Sequence, residues 1–553
     1  MCLSGCVVAL KCLRLKMRRS RIQFVSILII IAFMLIPNAY GNGHSESGEI
    51  FYGTFFGGSG EDGIRDVKLD SEGNIIVVGG TFSEDFPTLN AVQENYGGGE
   101  LASGENFHLL GDAFVAKFSP DYELLWSTYI GGSDFECAYH VEIGGDDEVI
   151  VVGSTTSTDF PVTLDSTPSG RERGDSFIVM YSPDGDLIGA RLYLPDEIDE
   201  ILHVEMDSLG NLVLGGMTSS ETMFTTEDAF QRELAGGTDG FIRVVTYDLE
   251  TVVYSTYFGG SGDEFLGEVA VGQDDSIYIA GGSSSRDLPV TQNCLRSEFV
   301  GDETDNFIAK ICPSRNLVTC TYFGGSGVDH VFGLSEGPDD SIVVVGRTWS
   351  DDYPVTDDAL QPEYSDIEVD GFLTKISRAG DELLYSTYYG GESWDSLLQV
   401  NMDETGRLII SGFVLTGEFE TLNAFQSEYK GSSDIVIIIM DEEIEMISYL
   451  GGYYEDHPFE QVVQDGVLYL VGGTTSPRFG VSENAYQGSI GGDRDGYLFV
   501  MDYEEYLSSE HSTEDGSAGS IWYEYRDYIS YGVVLGVIVV WYLYMRRTFS
   551  GEG

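Results

Sequence analysis

Ser255-Thr256-Tyr257-Phe258-Gly259-Gly260 is one copy of a phrase that returns down most of this chain. It recurs as Gly53-Thr54-Phe55-Phe56-Gly57-Gly58, Ser127-Thr128-Tyr129-Ile130-Gly131-Gly132, Cys320-Thr321-Tyr322-Phe323-Gly324-Gly325, Ser386-Thr387-Tyr388-Tyr389-Gly390-Gly391 and Ile447-Ser448-Tyr449-Leu450-Gly451-Gly452. A worn copy, Arg191-Leu192-Tyr193-Leu194, lacks the double glycine. Separations of 61 to 74 residues exceed what a solenoid repeat needs and suit a four-stranded propeller blade carrying one long loop.

The rest of each repeat is equally regular. Asp66-Val67-Lys68-Leu69-Asp70 alternates, Ser71-Glu72-Gly73 turns, and Asn74-Ile75-Ile76-Val77-Val78-Gly79-Gly80 runs apolar, which reads as a hairpin whose second strand is covered on both faces. A third strand follows, as at 112–118, and the Tyr-Phe-Gly-Gly phrase is the fourth. Inner strands begin near Asp66, His140, His203, Glu268, Gly333, Gln399 and Gln461, so seven blades are expected. The chain opens on an outer-strand phrase at 50–58 and closes with three strands of the last blade. The predicted fold is therefore an all-β, seven-bladed β-propeller over 49–503, its ring closed by the amino-terminal strand pairing with the seventh blade.

The motifs from Ser255 to Asp263, Asp-x-x-Gly-Asn-Ile-x-Val-x-Gly from Asp70 to Gly79, and Asp-x-Phe-Ile-Ala-Lys ending at Lys310 resemble the SBBP (seven-bladed β-propeller) repeat family. The resemblance covers about residues 49–503. It implies the fold and an exported surface or secreted module, and it implies no common reaction.

A formal charge of -64 over 553 residues excludes nucleic-acid binding, because a phosphate backbone demands a basic footprint. At 42% hydrophobic, with 70 Gly, 33 Tyr and 30 Phe, the chain builds a large β-rich core. Residues 1–41 place Lys11, Arg14, Lys16, Arg18, Arg19 and Arg21 before an apolar run at 24–37, the layout of a signal peptide. Residues 528–545 carry no charge and precede Arg546 and Arg547, which reads as a transmembrane helix with a cytoplasmic tail at 546–553 and a polar juxtamembrane tether at 504–527. The expected topology is a single pass through the cell membrane with the propeller outside. Cys312 and Cys320 flank a turn and are a possible disulfide pair, while Cys137 and Cys294 have no evident mates.

Residue types repeated in nearly every blade answer a need every blade has. The Asp-Phe-Pro sets (Asp85 to Pro87, Asp159 to Pro161) and the Ala-x-Gln sets (Gln93, Gln231, Gln361, Gln426, Gln487) are accordingly read as packing and turn capping. Asp-rich turns such as Asp70 to Gly73 and Asp274-Asp275 make calcium a possible cofactor, although none has EF-hand spacing. Chemically varied positions are more informative. Counting eight residues ahead of each Asn74-like position sets Asp66, His140, His203, Glu268 and Gln399 at one level, with Gln461 near it, and these are the candidate ligand-binding residues at the channel mouth, on the acidic long-loop face. His140 and His203, with Asp66, are metal candidates beside the plain reading of solvated histidines. No Ser-His-Asp set, nucleophile elbow, phosphate loop or Cys-x-x-Cys pair stands out, so no catalytic residue is assigned. The expected function is an interaction or adhesion module for an extracellular protein, peptide or glycan. The alternatives are a hydrolase or lyase using carboxylates on the same face, and a structural surface-layer component.

Overall fold

A run such as Ile75 to Val78 is stable only if both faces of its strand are covered, which a blade wedged between two neighbours provides. That is the arrangement in the computed structural model, which describes residues 51–99, 111–164, 174–193, 199–337, 341–365, 369–417, 419–441 and 443–509. Its strands form seven four-stranded antiparallel sheets. Blades one to six span residues 62–130, 136–193, 199–258, 264–323, 329–389 and 395–450 in sequence order. Blade seven takes three strands from 456–502 and its outermost from Phe51–Phe56. The closing register runs from Phe51 opposite Met501 to Phe56 opposite Gly496. Even the worn third-repeat phrase forms an outer strand, Leu187–Tyr193.

The repeated phrase is explained by hydrogen bonds. In blade one Gln93 donates through Nε2 to Asp112 Oδ2 (3.0 Å) and accepts at Oε1 from the Gly131 N–H (3.2 Å), while Gly97 N–H also reaches Asp112 (2.7 Å). The Gly132 N–H donates to Glu136 at the head of the next inner strand (3.0 Å), and Tyr129 Oη donates to the Ser83 carbonyl (2.7 Å). A Cβ on Gly131 would lie 2.6 Å from the Asp112 carboxyl carbon, which is why the position needs glycine. Gln231, Gln361, Gln426 and Gln487 repeat the bridge to Asp239, Asp370, Asp434 and Asp495. In blade four Arg296 replaces the glutamine, donating to Gly324 O and Asp305. Asp159 accepts from Ser133 N–H (2.9 Å), so the Asp-Phe-Pro sets are turn caps as expected.

Three expectations change. The single-pass anchor and the membrane localisation built on it are not supported: among the described residues no helix is long and apolar enough to cross a membrane, and the one helix found there is six residues long, Tyr503–Ser508. The signal segment 1–41, the span 528–545 and the tail 546–553 lie outside the described residues. Residues 504–508 of the expected tether belong to that helix, which is capped by Asp502, buries Tyr503 and Tyr506, and donates Tyr503 Oη to Asp403 (3.1 Å), and the expected tether beyond residue 509 lies outside the described residues. Cys312 and Cys320 are both free. The register explains why: Cys320 stands opposite Ala309 inside an apolar cluster, while Cys312 lies at the turn with its Sγ 3.0 Å from Ser314 Oγ.

Phe56 joins the first strand to its surroundings, with its ring 4.9 to 5.9 Å from those of Phe86, Phe114, Phe118 and Tyr486. Phe56→Ala is expected to cost about 3–5 kcal/mol, read from the urea midpoint at an unchanged m-value. A second expectation concerns pH. Burial pushes the carboxyls of Asp62, Asp112 and Asp456 up to about 6 and those of Glu136, Asp395 and Asp434 to about 7. A folded pKa above the unfolded one favours the protonated native state, so this stability is full below about pH 4 and is lost as pH climbs through 6 to 7. The melting temperature should therefore rise by several degrees between pH 8 and pH 5, and a fall over that window would contradict the burial argument.

Candidate functional site

Every inner strand carries a bulge, with a register shift between Ile64 and Asp66 in blade one and at the matching place in the other six. The residue just after the bulge is set at one level of the channel. Reading the pairing gives Asp66 opposite Val78, His140 opposite Val152, His203 opposite Gly215, Glu268 opposite Ala280, Gly333 opposite Val345, Gln399 opposite Ser411 and Glu460 opposite Val471. Two residues further along, a second tier holds Lys68, Glu142, Glu205, Ala270, Ser335, Asn401 and Val462. A cavity of ≈ 210 Å³ is bordered by residues of both tiers and by Tyr278 and Glu336.

Five of the six expected residues therefore share a level, and the sixth is corrected. Blade seven turns over two residues, Asp465 and Gly466, both at positive φ, where blade one uses five between Leu69 and Ile75. From ring residue to its strand partner the blade-seven hairpin is one residue shorter, Glu460 to Val471 against Asp66 to Val78, so the fixed offset does not transfer, and Glu460, not the neighbouring Gln461, follows the bulge. The one-residue step exchanges faces: Gln461 is buried and donates Nε2 to the Ile409 carbonyl of blade six (2.8 Å). Glu460, Lys68, Glu142 and Glu205 were missed. Their signal is polar residues two apart on a strand otherwise apolar, as in Asp66/Lys68, His140/Glu142 and His203/Glu205. The depth is also corrected. Asp66 is fully buried and His140 only 8% exposed. The cavity runs from this ring toward the hairpin turns near Gly272, away from the long loops, so the residues lie inside the channel and not at its loop-side mouth.

Each ring carboxylate is held by the next backbone N–H: Val67 to Asp66 (2.6 Å), Val269 to Glu268 (3.1 Å) and Gln461 to Glu460 (3.0 Å). Asp66 also accepts from Val141 N–H across the blade boundary (2.7 Å). His140 Nε2 lies 3.6 Å from Asp66 Oδ2, and His203 Nδ1 lies 3.4 Å from Glu268 Oε1, with the two imidazoles edge to face at 5.8 Å. Lys68 Nζ turns to Glu205 (3.2 Å) and Glu142 (3.8 Å). Burial pushes the Asp66 carboxyl up to about 6, Glu142 to about 7 and Glu460 well above the carboxylate range. Burial, then the Lys68 charge, presses His140 down to about 3, so its imidazole is neutral and able to act as a ligand. Glu268 is lowered: burial opposes this, and His203, His140 and the Val269 N–H together outweigh it.

The turn residues considered for calcium are otherwise engaged. Asp70 receives Lys117 Nζ (2.7 Å) and Asn74 Nδ2 (2.7 Å), and Asp274 receives Arg378 (3.2 Å) and Lys310 (3.5 Å).

No protein-family model and no curated protein matches the chain, so the SBBP likeness rests on the quoted motifs alone. Among solved structures the chain is similar to the polysaccharide lyase Uly1, with a TM-score of 0.40 at 10% identity over 84% of this chain and 95% of that one. It is similar to the β-propeller domain of the Trilobed protease from Pyrococcus furiosus, at 0.38 and 11% over 75% and 90%. It is also similar to the Pyrococcus horikoshii acylaminoacyl peptidase, at 0.37 and 11% over 75% of this chain, of whose length it spans about half (49%). These likenesses bear on the fold alone.

Removing the Lys68 charge strands Glu142 and Glu205 in a partly dry lumen. Lys68→Met is expected to lower stability by about 1–3 kcal/mol at pH 8. The loss should shrink by pH 5, where Glu142 can take up a proton, and chemical denaturation at the two pH values checks this.

Proposed function

We propose that the protein is an interaction module that engages a protein or peptide partner through the long-loop face of blades five to seven. The observation that carries this is a guanidinium set among aromatic rings. Arg347 lies 5.0 Å from the Phe332 ring centroid, 5.1 Å from Trp349 and 5.3 Å from Trp394. Trp394 is 36% exposed immediately ahead of its inner strand, and Tyr453 and Tyr454, in the corresponding loop of blade seven, are 62% and 55% exposed. Blades one, four and seven place Glu61, Asp263 and Glu455 immediately ahead of their inner strands and blade two places Phe135, so Trp394 at this position answers no need that every blade shares. Trp, Tyr and Arg are the residue types that dominate protein interfaces, because large rigid rings bury area at little entropic cost. Exposed Glu392 and Glu455 beside them favour a partner surface that brings positive charge.

The hydrolase or lyase alternative draws less support. Asp66 and Glu268, the acids it would use, border a lumen of ≈ 210 Å³, below the ~300–1,000 Å³ of ordinary ligand pockets.

Peptide and glycan arrays probed with the purified full chain test the proposal. The strongest peptide hit should bind at least tenfold more weakly to Trp394→Ala and equally well to Leu209→Ala, an 82% exposed residue on the opposite, hairpin-turn face. Unchanged binding by Trp394→Ala would sink the reading, and hits confined to the glycan array would assign the face to carbohydrate.

A further inference from the structure

The channel ring holds a group of donors that no packing argument explains. One ligand atom each from Asp66, His140 and Glu460 lies within 4.8 Å of the others. They come from blades one, two and seven, which are consecutive around the closed ring, so only the circular fold brings them together. His140 is more than nine-tenths buried and its imidazole makes no hydrogen bond: Nδ1 has no partner, and Nε2, the nitrogen beside Asp66, stands beyond hydrogen-bond reach of it at 3.6 Å. A buried polar atom left unpaired is destabilising, and burial in a lumen with carboxylates on two sides is hard to account for by packing alone.

We propose that Asp66, His140 and Glu460 form a binding site for a first-row divalent transition metal, of the Zn²⁺ or Mn²⁺ class, on the wall of the channel. The donor set selects the class: one imidazole nitrogen with two carboxylates suits a borderline ion, whereas calcium prefers oxygen alone. A tetrahedral site with bonds of about 2.1 Å sets donors about 3.4 Å apart. His140 Nε2 and Asp66 Oδ2 already stand at 3.6 Å, and a Glu460 carboxylate oxygen lies within 4.8 Å of the other two donors. Outer contacts are in place for the two carboxylates, since Asp66 is oriented by the N–H groups of Val67 and Val141, and Glu460 by that of Gln461. The only cation in the second tier, Lys68, is committed to Glu205 and Glu142. His203 and Glu268 stand next around the ring, paired with one another, and are not counted among the ligands. Three protein donors leave at least one coordination position facing the ≈ 210 Å³ lumen. This site is separate from the aromatic face above, so either proposal stands without the other.

Isothermal titration of the chelator-treated full chain with ZnCl₂, MnCl₂ and CaCl₂ in turn tests the assignment. One equivalent of Zn²⁺ or Mn²⁺ should bind, raise the melting temperature, and be removed by EDTA. Co²⁺ should bind at the same stoichiometry and show ligand-field absorption that His140→Ala abolishes. Glu460→Gln, which keeps the shape, and His140→Ala should each weaken Zn²⁺ binding at least tenfold, while His330→Ala, outside the group, should not. Circular dichroism of each variant separates lost binding from lost folding. Absence of stoichiometric binding to folded protein, binding of Ca²⁺ alone, or Zn²⁺ binding indifferent to both Glu460→Gln and His140→Ala would overturn the site.

Discussion

A buried carboxylate at the head of the third strand, met in six blades by backbone N–H groups of the preceding loop, is the interaction on which the remaining architecture depends. Long loops must find partners for their own N–H groups, and a loop drawn onto a sheet edge cannot leave them dry. Asp112 answers for Gly97 and Gly98, Asp239 for Ala235 and Gly236, Asp434 for Lys430 and Gly431, and Asp495 for Gly491 and Gly492. The glutamine amide then ties the same carboxylate to the glycine that ends the outer strand. One acid thus fixes loop, third strand and fourth strand together. The next acid along, such as Glu136, Glu264 or Asp456, receives the second glycine and passes the chain into the following blade. The energetic result is a ring of desolvated acids whose charge is suppressed, in a protein that carries 92 acidic residues against 28 basic ones.

This explains why so much of the fold could be read from residues alone. Positions constrained by that device recur at fixed offsets, and seven copies of an offset are hard to mistake. Closure by the amino-terminal strand was legible for the same reason: an unpaired outer phrase at one end matched a missing outer strand at the other. The ring inside the channel was legible only where the hairpin has its common length. At Glu460 the hairpin is one residue shorter, the fixed offset does not transfer, and the expectation fell on the neighbouring Gln461, whose side chain serves the wall between blades. Depth was not legible either, because one bulge residue per inner strand determines which side chains enter the lumen, and a bulge leaves no composition mark. Nor does a pair of cysteines near a turn reveal its register, which puts Cys320 against Ala309.

The two candidate sites share a logic. Positions that repeat are accounted for by hydrogen bonds that every blade makes, and positions that break the repeat are where chemistry collects. Blade five supplies Gly333 at ring level, where a Cβ would come within 2.7 Å of the Leu398 carbonyl, so this wall of the channel is bare backbone. The opposite wall carries Asp66, His140 and Glu460. Asymmetry of this kind leaves one plain position, Gly333 between Glu268 and Gln399, in an otherwise polar ring.

The closing strand has a consequence for how the molecule assembles. The Gly53 amide donates to Ser482 across a separation of 429 residues, and the strand around it has no other sheet in which to sit. During synthesis this apolar ribbon of Phe51, Tyr52, Phe55 and Phe56 emerges before the inner strands of all seven blades and finds its mate last, after six wedges have stacked. Contacts of such span slow the search for the native state. Until they form, an edge ready to pair with any neighbouring chain stays uncovered, so concentration during biogenesis governs the yield of intact rings.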